Sequence, residues 1–148
     1  MEETRTLLRH LLATVAYRTR KCLAGAPDGL ADFAAGSGVR TPAEIVRHMT
    51  AIADGVGAIL LGLPRRELPP LRWTGEVARL EQALREVDAA IAGAGAWAGD
   101  PLAVAQGPVA DLLTHAGQLT MLRRMAGAPL PPENFSRAAV RVGEVRLG

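Results

Sequence analysis

The chain has 148 residues, 49% of them apolar and 22% charged, which is enough for one core that folds without staples. Seventeen basic residues, nearly all arginine, stand against fifteen acidic ones, and a net charge of +2 is too near neutral to indicate nucleic-acid binding. The single cysteine, Cys22, excludes an internal disulfide and a cysteine-rich zinc site.

From Glu3 to Ala24 the residues Leu7, Leu8, Leu11, Leu12, Val15 and Leu23 recur at spacings of three and four without a proline. This predicts a first helix with arginines on its wetter side. Cys22 reads as a small buried hydrophobe there and His10 as a partly exposed residue. The glycines of GAPDGLADFAAGSGV then interrupt regular structure, with Phe33 placed to plug the end of a core. A second helix has the clearest start: Thr41 as cap, Pro42 in the first turn and Glu44 to complete a reciprocal capping bond. It is expected to run to about Leu61 with Ile45, His48, Ile52 and Val56 inward, while Gly55 and Gly57 permit close packing.

LPRRELPPLRW is a proline-rich connector with a local basic patch. A third helix is predicted from Gly75 to Ala92 on the stripe Val77, Leu80, Leu84, Val87 and Ile91. GAGAWAGDPLAVAQG reads as a loop whose Trp97 either covers the bundle or lines a pocket mouth, with covering the favoured role. The fourth helix is expected to begin near Pro108, with Leu112, His115, Leu119 and Leu122 inward and Val109, Leu113 and Met125 widening the stripe. Gly127 and Pro129 stop it, and Arg123 and Arg124 suit its negative pole. Pro131, Pro132 and the Arg/Gly-rich tail do not form a fifth long helix.

The expected fold is therefore all-α, a four-helix bundle in one domain over residues 1–148, with a core at about 5–127 and an irregular extension at 128–148. Apolar stretches such as VGAILLGL are too short to cross a bilayer, and no secretory pattern opens the chain. A cytoplasmic location is the default expectation.

Asp111 and His115, four residues apart, share one helix face, and His48 lies on the inward stripe of another helix. Two imidazoles and a carboxylate suit zinc, nickel, iron or manganese, with a position left open for water or substrate. A metal would also offset the charge of Asp111. The same spacing arises in ordinary packing, with His48 bonded to a backbone carbonyl, so the residues alone leave both readings open.

GVRTPAEIVRHMT, followed much later by DLLTHAGQLTMLRRMAG, resembles the DinB-like/YfiT-like superfamily over roughly residues 5 to 127. The resemblance implies a four-helix bundle, often a homodimer, binding a divalent metal through a helix-2 histidine and a His-x-x-x-His pair on helix 4. His48 matches the first ligand and His115 the last, whereas Asp111 stands where the family has its other histidine. A carboxylate there keeps a metal ligand but alters affinity and selectivity. Gln118 follows His115 in the matching segment and has the reach to orient a ligand or to hydrogen-bond across the bundle, a structural bond being the safer role.

The resemblance also implies a metal-dependent thiol S-transferase or hydrolase acting on a small molecule, with zinc or nickel as the metal and a low-molecular-weight thiol as cosubstrate. No separate general base is identifiable, because Glu44, one turn before His48, is explained by its capping role. Arg65/Arg66 and Arg123/Arg124 are candidates to attract an anionic thiol, set against plain solvated surface and helix-end charge. The alternative is a non-catalytic bundle that binds a small ligand or another subunit. Nucleic acid ranks lower, since one tyrosine and two phenylalanines offer little for base stacking.

Overall fold

A computed structural model describes residues 1–148 and contains no strand. Three long helices, α1 (Glu2–Leu23), α2 (Pro42–Leu61) and α3 (Trp73–Gly93), are followed by a helix in three registers. That fourth helix comprises α4 (Pro101–Val104), a π-helical turn (Ala105–Val109) and α5 (Ala110–Met125). α2 packs on α3 and α5, and α1 packs on the same two, so α1 and α2 face each other diagonally across the bundle.

The capping signal at α2 operates as the sequence predicts. Thr41 Oγ1 accepts the Glu44 amide at 3.3 Å, and Glu44 Oε2 accepts the Thr41 amide at 2.7 Å, a pairing that stabilises a helix start by about 1 kcal/mol. Gly62 closes the helix in the left-handed region, with φ of 68°. The expected packing role of glycine holds at Gly57, where an added Cβ would stand 3.1 Å from Leu63 and 3.4 Å from Val87. Gly55 instead faces the Arg65 side chain.

The start of the fourth helix differs from expectation. It begins seven residues before Pro108, at Pro101, capped by the Asp100 carboxylate on the Leu102 amide at 2.9 Å. Pro108 lies inside the helix, where it has no amide to give and its ring crowds the preceding turn. The π-helical turn accommodates it: the Ala110 amide reaches back five residues to the Ala105 carbonyl. The loop before it is fixed by contact with α2, since the Ala98 amide bonds the Leu60 carbonyl at 2.9 Å. Gly99 passes so close to Ile59 that a Cβ would fall 2.1 Å from its carbonyl oxygen.

Leu8, Leu12 and Val15 of α1, Ile45, Ile52 and Val56 of α2, and Leu80, Leu84, Val87 and Ile91 of α3 form the core with Leu112, Leu119 and Leu122 of α5. Leu7 and Met125, assigned to inward stripes from spacing, are more than half exposed because each sits at the edge of its apolar arc. Cys22 is buried, His10 is exposed, and Phe33 and Trp97 cover the core from its margins.

The extension at 128–148 is irregular as expected, yet it belongs to the packing. Val145 and Leu147 are buried, each contributing about 1.5–3 kcal/mol of apolar burial. The Leu147 amide donates to Glu81 at 2.7 Å and Arg20 to the Arg146 carbonyl at 2.9 Å. Glu133 accepts from Tyr17 at 2.5 Å and pairs with Lys21. No helix is long and apolar enough to cross a membrane.

Candidate metal centre

The three residues singled out by spacing converge. One ligand atom from each of His48, Asp111 and His115 lies within 4.8 Å of the others, a grouping that could in principle hold one metal ion. α2 supplies His48 at the edge of its buried stripe, and α5 supplies the other two one turn apart. The imidazoles meet edge to face, with ring centroids 4.8 Å apart and planes at 87°. His115 is buried, His48 half-buried, and the Asp111 side chain is 48% exposed, so the cluster opens to solvent on the carboxylate side.

The roles of the His115 nitrogens follow from which Gln118 atom faces the ring. Nδ1 lies 2.7 Å from Gln118 Oε1, an acceptor, so Nδ1 carries a proton and donates. Nε2 then faces Asp111 Oδ1 at 3.3 Å. In the neutral ring this sets a lone pair against a carboxylate oxygen, which a positive charge between them relieves: a proton on Nε2 or a metal ion. Histidines that bind metals characteristically donate their other ring N–H in this way. At His48, burial first, then the charges of Arg40 and His115, lowers the pKa below the ordinary histidine value, and Asp111 offsets only part of this. The shift favours the neutral ring, the form that ligates.

The other candidates are placed elsewhere or occupied. Glu44 is held in the capping box. Arg66 is tied to Asp54 at 3.0 Å and to Glu86 at 2.5 Å, while Arg65 is exposed. Arg123 is buried and donates to the carbonyls of Cys22, Ala24, Gly25 and Ala128 at 2.5–3.1 Å. It holds the end of α1 instead of presenting charge to a ligand, whereas Arg124 remains exposed. Gln118 bonds within its own helix, one turn from its partner, and not across the bundle.

Sequence reasoning overlooked Arg40, which lines a cleft of about 330 Å³ together with His48. It also overlooked the buried carboxylates of Asp54, Glu76 and Asp88. The signal for Glu76 was available, since it lies four residues before Leu80 on the α3 stripe.

Scans of protein-family models, of curated proteins and of solved structures each return no match to this chain.

Proposed function

We propose that His48, Asp111 and His115 hold a divalent metal ion, zinc or nickel, and that the chain is a DinB-like protein acting on a small molecule by thiol S-transfer or hydrolysis. The observation that carries this reading is the His115 ring, with Nδ1 committed to Gln118 and Nε2 directed at Asp111 with His48 alongside. The donor set fits: two imidazoles and one carboxylate make a borderline site that leaves coordination positions open. A bound ion would supply Lewis-acid charge, lowering the pKa of a thiol or water in an open position.

The protein's own residues do the rest. Gln118 fixes the His115 tautomer and ring orientation, and packing against His115 holds His48 edge-on. Asp111, half in solvent, leaves an entry route on its side. Substitution of aspartate for the family's histidine lowers the charge of the site by one unit and shifts preference toward harder cations. Homodimer formation belongs to the same proposal and rests on the resemblance alone.

A second reading has its own support in the 3.3 Å pair, because a proton on Nε2 would make His115 and Asp111 an ion pair in a non-catalytic bundle that binds a ligand or a second subunit. Metal analysis of untagged protein purified without added nickel, beside His115→Ala, separates the two. About one divalent ion per chain, lost in the variant, is the expected result and leads to a thiol-transfer and hydrolase substrate panel. A parent that stays metal-free after reconstitution would establish the ion-pair reading instead.

A further inference from the structure

The Gln118 side chain that fixes His115 also lines a groove of about 390 Å³ between α5 and the segment leading into α2. Val39, Ile45, Met121, Leu122 and Met125 make most of its wall, and Arg40 is its only charged residue. Val39, Met121 and Met125 are each about half exposed, and no segment of the chain covers them. The volume falls within the range of small-molecule sites, roughly 300–1,000 Å³. Methionine side chains adapt to irregular apolar bodies, which suits them to such a wall.

The polar groups at this groove are donors. Gln118 has spent its carbonyl oxygen on His115, so its amide N–H groups remain available. Arg40 is exposed and is engaged by none of the side-chain ion pairs of the fold. The carboxylate nearest in sequence, Glu44, bonds the Thr41 amide and lines the His48 cleft, not the groove. Arg40 lines both spaces and so stands between the apolar groove and the His48 cleft.

We infer that the groove binds a small anionic amphiphile, a monocarboxylate with a hydrocarbon body, whose body lies on Val39, Met121 and Met125 and whose carboxylate is taken by Arg40 and the Gln118 amide. The guanidinium fork matches a carboxylate, and the apolar wall rejects a purely hydrophilic anion. Naming this ligand as the substrate class of the metal centre rests on the metal proposal, whereas its binding in the groove does not need the metal.

Decanoate is a suitable probe, followed through the methyl NMR signals of methionine in the full chain, with and without metal. The four methionines divide usefully: Met121 and Met125 line the groove, Met49 is buried in the core, and Met1 is at the terminus. Decanoate is expected to shift Met121 and Met125 saturably and leave Met49 unmoved, while acetate shifts none of them. Arg40→Gln, at an exposed position that does not threaten folding, is expected to weaken decanoate binding about tenfold or more. Silent groove methionines, or equal affinity in Arg40→Gln, would overturn the inference even in protein that holds its metal. Decanoate binding in protein that never takes up metal would uphold the groove and remove the metal proposal.

Discussion

Glu76 and His115 both bring polar atoms inside the bundle, one where α3 meets α2 and the other where α5 meets α2, but their surroundings differ. Glu76 is fully buried, and its oxygens accept from Arg47 at 2.8 Å, the Leu71 amide at 2.8 Å and Arg79 at 2.6 Å. Charge and hydrogen bonding are met there by the chain itself. At His115 one nitrogen is satisfied by Gln118 and the other faces a carboxylate oxygen, with a second imidazole beside it. Every group in that cluster is a potential ligand, and no Lys or Arg pairs with its carboxylate. A buried polar cluster that closes on itself supports the fold, whereas the second cluster opens to solvent at Asp111 and offers three atoms that could in principle coordinate a cation.

Breaking each cluster should therefore cost different amounts. Glu76→Ala leaves Arg47, Arg79 and the Leu71 amide without their acceptor, and denaturant unfolding is expected to show a loss of about 3–5 kcal/mol. His115→Ala, compared with the parent in metal-free buffer, is expected to cost much less, because the Asp111 carboxylate it leaves behind is half exposed and stays hydrated. A loss as large as that of Glu76→Ala would make His115 a structural residue and dissolve the contrast. Adding zinc at a hundredfold excess over its Kd should stabilise the parent by about 2.7 kcal/mol, with no gain in His115→Ala. Thermal or denaturant melts with and without zinc measure this directly.

Gln118→Leu sharpens the comparison further by freeing the His115 ring while keeping all three ligands. Competition with a chelator should show metal affinity reduced about 10–100-fold, the usual effect of losing a partner behind a ligand. The smallest effect concerns acid. Burial pushes the Glu76 carboxyl up, but the Leu71 amide and the Arg47 and Arg79 guanidiniums outweigh it and hold the pKa below the usual range. The unfolded chain then binds more protons between the lowered value and about pH 4.3, so this contribution is complete above that pH and is lost as pH falls through the folded value. The stability difference between the parent and Glu76→Gln should accordingly be constant from pH 7 to 5 and shrink toward pH 3 in denaturant titrations.

The extent to which the sequence disclosed this molecule follows from which signals are local. The bounds of α2 were legible because Thr41, Pro42 and Glu44 act on one another within a single turn. The convergence of His48 with Asp111 and His115 was legible as a possibility, since helical spacing fixes the second pair and the inward stripe of α2 fixes the first. The start of the fourth helix was misplaced because two prolines competed for it. Asp100-Pro101 is the true capping pair, but it lies among glycines and alanines that read as loop, while Pro108 sits beside an obvious apolar stripe. The widened turn that tolerates Pro108 has no compositional signature. Arg123 and Arg40 were obscured for another reason: a guanidinium's role depends on what lies within reach, and its partners or their absence emerge only on folding.

Arg123 also bears on the order in which the chain assembles. Its bond to the Cys22 carbonyl spans 101 residues, and the same side chain collects the carbonyls of Ala24 and Gly25. Until α5 has been made, the last turn of α1 has only water for these acceptors. The first helix to leave the ribosome is thus among the last to be finished, and its end should stay open to hydrogen exchange in any chain truncated before residue 123. A nascent bundle of this kind waits on a residue near its far end to seal its beginning.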